Sequence, residues 1–223
     1  MTNLSTRTSA QETIERFDTP AAAAKYAASL GGTATHRREM RCILRALSGL
    51  SAGAMVLDLP CGTGRLLPEL VQRGYLVTEA DSSPHMVDLA RQFAQQSGLR
   101  MNDDQFVVAS AFDTGFADGQ FQAIVCNRLF HHFREPQVRR EALTELRRIS
   151  SGPIVVSFFC NWSFDGVVFH LKQLLRKRKA TDRIPISRTQ FEMDAKACDL
   201  KVRRWMAIRP GISKQWYARL ERA

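Results

Sequence analysis

The chain has 223 residues, 44% of them hydrophobic, and a net charge of +10. That length can bury one full core, and no apolar run approaches the ~20 residues that cross a bilayer. The first ten residues lack the apolar centre of a secretory signal, and the five cysteines (42, 61, 126, 160 and 198) form no Cys-x-x-Cys pair, so reduced, mostly buried thiols in a cytoplasmic protein are expected. The charge is uneven. Residues 1–150 hold 17 Lys and Arg against 16 Asp and Glu, and residues 151–223 hold 15 against 6. The basic excess belongs to the final third.

Met1 to about Glu12 is polar and reads as a loose terminus. Phe17, Ala23 and Tyr26 then sit among helix formers, and Met40, Ile43, Leu44 and Leu47 carry the spacing of a second helix. Gly49 to Gly53 breaks the chain before an apolar strand, Val56 to Asp58. Asp58 enters a loop with Gly62 and Gly64, followed by a helix-like stretch from Arg65 to Arg73. Two glycines let a ligand lie against the main chain, and N–H groups at the start of a helix face it. The dinucleotide fingerprint wants a third glycine, where Leu67 stands. A carboxylate beside the loop repels a pyrophosphate and suits an ammonium group. Residues and spacing favour a nucleoside that bears an amino acid.

A second strand, Tyr75 to Glu79, leads to Asp81, 23 residues after Asp58, the length of one strand-helix-strand unit. A carboxylate at that strand tip accepts hydrogen bonds from both hydroxyls of a ribose. Ser83 and Pro84 open the next helix as cap and first residue. Strand three is Gln105 to Ala109. After the turn Phe116 to Phe121, strand four, Ala123 to Cys126, delivers Asn127, Arg128 and Leu129 to the carboxyl edge, with His131 and His132 behind them. Helix Pro136 to Ile149 and strand Pro153 to Phe159 follow. Phe164, Val167, Val168, Leu171, Leu174 and Leu175 share one helical face, which either packs in the core or covers a substrate. Four cations, Arg176 to Lys179, end that stretch. A helix, Gln190 to Ala197, and two strands, Lys201 to Ile208 and Ser213 to Leu220, close the chain. Short apolar strands alternating with helices predict a Rossmann-like, doubly wound α/β sheet, mostly parallel with a C-terminal antiparallel hairpin and helices on both faces.

Asp58-Leu-Pro-Cys-Gly-Thr-Gly64 resembles motif I of the class I S-adenosylmethionine-dependent methyltransferases, with Pro60 in place of a usual glycine. Glu79-Ala-Asp81-Ser-Ser-Pro-His-Met86 resembles the second motif, with Glu79 in place of its glycine. Ser110-Ala111 stands where Asp-Ala is usual, and Phe116-Ala-Asp-Gly-Gln-Phe121 is similar to the pattern before strand four, with Gln122 for the final Asp. The small-molecule, ubiquinone-biosynthesis-like branch is the nearest in pattern. The resemblance implies a single domain: residues 1–50 as a helical lid, 51–160 as the cofactor-binding core, and 161–223 as a substrate-side helix with the closing strands. It implies S-adenosyl-L-methionine held by Asp58, Pro60, Cys61, Gly62 and Gly64, by Asp81, Ser82 and Met86, by Ser110, Ala111 and Phe112, and by Asn127 and Arg128. Arg37 and Arg38 are candidates for the methionine carboxylate, or are solvated charges on an amphipathic helix. Phe112 packs on the adenine or fills the core.

Methyl transfer from a sulfonium depends mainly on alignment, and a base is needed only where the acceptor must lose a proton. His131 and His132 are the candidates for that base, with packing roles as the alternative. Asn127-Arg-Leu-Phe130 fits poorly the Asn/Asp-Pro-Pro-aromatic run of amino-directed nucleic-acid methylation. Cys126 lacks the proline of a cytosine-C5 nucleophile and reads as a buried strand residue. No acidic ligand set stands near strand four, so no metal is expected. The basic C-terminal third points to a small or lipid-like, anionic acceptor, or to one at an anionic membrane surface. An RNA methyltransferase is the alternative on charge grounds. A non-catalytic binding protein on this fold is the other, given Pro60, Glu79, Ser110 and Gln122. No obligate protein partner is expected.

Overall fold

The computed structural model describes residues 8–19, 21, 34–175 and 182–223, with the backbone alone at 170 and 172–174. Ala23, Tyr26 and the run Arg176 to Lys179 lie outside the described residues. The terminus is ordered earlier than its polarity suggests. Helix α1, Ser9–Phe17, is closed by a capping box in which the Thr8 hydroxyl accepts the Gln11 N–H and the Gln11 side chain accepts the Thr8 N–H. Helix α2, Ala34–Ala46, buries Glu39, Met40, Ile43 and Ala46 on one face.

Strands β1 (Met55–Asp58), β2 (Leu76–Asp81), β3 (Phe106–Val108), β4 (Ala123–Cys126) and β5 (Ile154–Phe159) are parallel neighbours. They are joined by α3 (Leu67–Gln72), α4 (Pro84–Gln96) and α5 (Pro136–Ile149). After β5 come α6 (Phe164–Leu175), α7 (Arg188–Lys196), β6 (Leu200–Ala207) and β7 (Gln215–Arg222). β7 pairs antiparallel with both β5 and β6. The seven-stranded order is β3-β2-β1-β4-β5-β7-β6. This is the doubly wound sheet with its antiparallel closing hairpin. Every residue of β4 is buried, as expected for a strand covered on both faces.

One face buries Leu143 and Leu146 of α5 and Phe191 of α7 against Phe158. The other buries α2, α3 and α4 through Ile43, Leu70 and Ala90. Between α5 and α7 a buried ion pair joins Arg139 Nε to Asp194 at 2.7 Å, and Arg140 reaches the same carboxylate at 3.0 Å. Arg139 also donates through Nη1 to the Phe133 and Arg134 carbonyls, which satisfies both N–H groups of that nitrogen.

Boundaries differ from the sequence reading at several points. The loop after β1 continues in turns to Leu66, so the helix begins at Leu67 rather than Arg65. His131 and His132 sit on a single 3-10 turn, Phe130–His132. The apolar face of α6 neither fills the core nor closes over the cavity. Phe164 is 67% exposed and Leu171 55%, beside Trp162 at 73%.

Candidate active site

Strand order reverses at β1, between β2 and β4, and the carboxyl ends of those strands open a crevice. The cavity there encloses about 920 Å³ of empty space, part of it open to solvent. One half is walled by Leu59, Pro60, Gly62, Asp81, Ser82 and Met86, then by Ser110, Ala111, Phe112 and Asn127. The other half is walled by Thr13, Ile14 and Phe17 of α1, and by Leu129, His131, His132, Phe133 and Phe159. Arg128 and Arg183 also reach it.

Asp81 organises the first half. Its carboxylate accepts the Gly62 N–H at 3.0 Å and the Ser83 N–H at 3.0 Å, tying the β1 loop to the tip of β2. Burial raises its pKa to about 6, and those backbone N–H groups restrain the rise. Each oxygen keeps a lone pair for a ligand hydroxyl. Gly62 holds φ +55°, a conformation that glycine adopts freely. Gly64 serves packing instead. A Cβ there would lie 3.2 Å from Ala90, so the glycine lets the loop rest on α4.

Asp58 and Cys61 are buried behind the cavity wall rather than on it. Asp58 lies beside Glu79 in the β1–β2 register. All four of their carboxylate oxygens lack a hydrogen-bond partner. Burial drives both acids well above the ordinary carboxylate range; Arg65 partly restrains Asp58, and the Asp58 carboxylate raises Glu79 further. Arg38 does not join the site. It lines a separate cleft with Arg41 and Arg45, because its position on α2 turns it away from the sheet's carboxyl edge. Phe112 lines the cavity and packs on Phe133 with ring centroids 5.3 Å apart.

A second layer holds Asn127 and Arg128. Glu39, fully buried on α2, accepts Arg65 at 2.7 Å, Arg128 Nη2 at 2.7 Å and the Gln215 amide at 2.8 Å. Gln215 also donates to the Tyr217 oxygen, and the Tyr217 hydroxyl donates to Asn127 Oδ1 at 3.0 Å. Asn127 therefore keeps its amide N–H groups as donors toward the cavity. Arg128 stands at φ +61°, in the left-handed region that non-glycine residues seldom occupy, and its N–H donates to Ser157. An acid in the buried register of an otherwise apolar helical face was the available signal for Glu39. Gln215 and Tyr217 gave none.

The two histidines differ in their surroundings. His131 stacks on Phe159 at 4.2 Å with its Nδ1 unpartnered, and burial holds its pKa well below the ordinary histidine value. His132 is hydrogen-bonded through Nδ1 to Asp182 at 2.5 Å. A carboxylate only accepts, so Nδ1 donates in this bond and Nε2 is left to other partners. Burial pushes Asp182 up, but the His132 contact and Arg16 outweigh it and leave its pKa lowered. Asp182 follows a cationic run 50 residues downstream, where spacing offers no clue to the pairing.

Helix α1 closes the second half. Arg134 grips Glu12 through two N–H groups at 2.8 and 2.9 Å, the Ser9 hydroxyl donates to Glu135, and Arg16 meets Asp182 at 2.5 Å. No group of three metal-ligating side chains occurs among the described residues.

Comparison with known proteins agrees with this geometry. A family model described as a methyltransferase domain matches residues 56–151. The ubiquinone biosynthesis O-methyltransferase of Xanthomonas axonopodis pv. citri is 34% identical over 86 residues, 38% of this chain and 35% of that protein. Its counterpart in Coxiella burnetii is 33% identical over 89 residues, again 38% and 35%. The chain thus spans about a third of the length of these curated relatives. Magnesium protoporphyrin IX methyltransferase from Synechocystis PCC 6803 with bound S-adenosylhomocysteine superposes at a TM-score of 0.74, with 16% identity over 96% of this chain and 100% of that one. A methyltransferase from Aquifex aeolicus superposes at 0.64, with 17% identity over 91% and 97%. The matched methyltransferase domain lies in the crevice-forming half of the sheet, and the whole chain shares the fold of these solved methyltransferases. The stretches that resemble motif I and motif II, residues 58–64 and 79–86, both fall within the matched domain.

Proposed function

We propose that this chain transfers the methyl group of S-adenosylmethionine to a hydroxyl of a small, largely apolar acceptor. The carrying observation is one cavity with Asp81 at one end and the His132–Asp182 pair at the other. The residues fit the cofactor. Asp81 offers two acceptors for the ribose diol, Ser110 and Phe112 offer a polar atom and a ring face for the base, and Asn127 offers donors for the methionine end. When bound, S-adenosylmethionine supplies an electrophilic methyl on a positively charged sulfur.

The remaining work belongs to the protein. Apolar walls from Ile14, Phe17, Leu129 and Phe159 exclude water and align the acceptor, which is where most of the acceleration arises. His132 Nε2 takes the hydroxyl proton, and Asp182 fixes the ring and stabilises the charge it gains. His131, kept neutral by burial, is a weaker base and shapes the wall.

A lipid-like acceptor at an anionic surface suits the surroundings. Lys214 lies over the Phe159 ring of the cavity and over Phe169 of α6, so α6 adjoins the acceptor half. The exposed face of α6 carries Phe164, Val167 and Leu171, and four cations follow it in sequence. Incubation with methyl-labelled S-adenosylmethionine and three acceptors tests this: a phenolic lipid in anionic vesicles, a water-soluble phenol, and RNA. Label in the phenols, greater for the lipid, is expected. Label in RNA alone, or in none of them from protein that binds the cofactor, overturns the reading.

A further inference from the structure

A second cleft, on the far side of α2 from Glu39, is lined by Arg38, Arg41, Arg45 and Arg204, with Cys42, Met206, Ile208 and Pro210 among its other walls. It encloses about 960 Å³ of empty space, part of it open to solvent. No acidic side chain lines it. We propose that this cleft binds a small phosphorylated ligand carrying two or more phosphate groups, at a site separate from the methyl-transfer cavity.

Three observations carry this. The first is the arrangement on α2. Arg38, Arg41 and Arg45 are spaced by three and four residues and so share one helical face, where like charges repel. Among the described residues no carboxylate stands in the cleft to relieve that repulsion. Arg65, Arg128, Arg134, Arg139, Arg148 and Arg219, by contrast, each meet a carboxylate. The four in the cleft have no carboxylate partner among the described residues.

The second is the backbone of β6. Its pairing with β7 shifts register between Val202 and Arg204. Strict alternation from Val202, which packs with the α5–α7 face, would send Arg204 to that same core. The extra residue reverses the sense. Trp205 sets its ring against Phe158 and Phe191 while also bordering the cleft, and Arg204 and Met206 line the cleft beside it. The irregularity places a fourth guanidinium opposite the three on α2.

The third is the contrast with the neighbouring arginines of the hairpin. Next to Arg204, Arg203 pairs with Glu221 at 3.0 Å, and Arg219 pairs with the same carboxylate at 2.9 Å. Directly outside the cleft two arginines thus share one carboxylate, while the four that line it meet none among the described residues. A nucleic-acid track would continue along the surface, with each cation meeting a successive phosphate. Converging guanidinium groups over apolar walls instead suit a compact ligand, since each fork matches two phosphate oxygens.

Calorimetric titration of the full chain with inorganic pyrophosphate tests the proposal, with thermal unfolding as a second readout. Wild type should bind with submillimolar affinity and gain melting temperature. The double variant Arg41→Ala/Arg204→Ala should lose roughly tenfold or more in affinity. Arg203→Ala, the same loss of charge one residue away, should bind like wild type. S-adenosylmethionine affinity measured on the same samples shows that each variant is folded and leaves the first site intact. Absence of pyrophosphate binding overturns the proposal, as does equal weakening by Arg203→Ala. Binding of a single-stranded RNA with no pyrophosphate binding also overturns it.

Discussion

Cofactor affinity should depend on pH through Asp81. The carboxyl is nearly buried, and its pKa stands at about 6 where 3.8 is ordinary. A raised folded-state pKa means that protons bind the folded form more tightly. The associated stability is complete below the ordinary carboxylate range and is lost as pH rises through about 6, amounting to about 3 kcal/mol. A ribose diol donates to the ionised form, so ligand and proton compete. Only about a tenth of Asp81 is ionised at pH 5, so S-adenosylhomocysteine should bind about tenfold more weakly there than at pH 7. D81N should remove the slope and weaken binding at pH 7 by at least about tenfold, because hydrogen bonds to a charged acceptor contribute about 1.5–3 kcal/mol each. Calorimetry at pH 5, 6 and 7 on both proteins measures this. An equal slope in D81N would assign the dependence to the histidines and refute the reasoning.

Other substitutions probe the framework. Asp194→Ala leaves Arg139 buried without its partner and should cost about 3–5 kcal/mol in urea unfolding, where a surface ion pair would cost less than about 1 kcal/mol. Glu79 lies in the raised pair with Asp58, so wild-type stability should fall as pH rises above the ordinary carboxylate range. E79Q should flatten that fall in thermal melts across the same range. His132→Gln and Asp182→Asn should each lower kcat on a phenolic acceptor by about 10²–10⁴ while leaving cofactor affinity unchanged. A drop confined to KM would reassign the pair to positioning. Gly64→Ala forces a side chain into a left-handed conformation 3.2 Å from Ala90, and should lower the melting temperature before it affects any ligand contact.

Much of this protein was legible in its sequence. Strand periodicity, the glycine loop after Asp58 and the 23-residue step to Asp81 depend on neighbours close along the chain. Local sterics and the length of one strand-helix-strand unit fix them. The same reasoning misplaced residues whose role depends on packing. Asp58, Cys61 and Gly64 belong to the loop motif, yet they lie behind the cavity wall. Arg38 went to the opposite side of its helix, and Glu39, its neighbour, became the centre of the site's second layer. Only the tertiary structure decided which histidine is oriented, because Asp182 reaches His132 across 50 residues. Only it brought α1 over the cavity, through Glu12 and Arg134, and left the apolar face of α6 exposed where periodicity implied burial. Short-range pattern sets which elements form. Long-range pairing sets which side chains meet, and no local preference encodes the loop closure that brings them together.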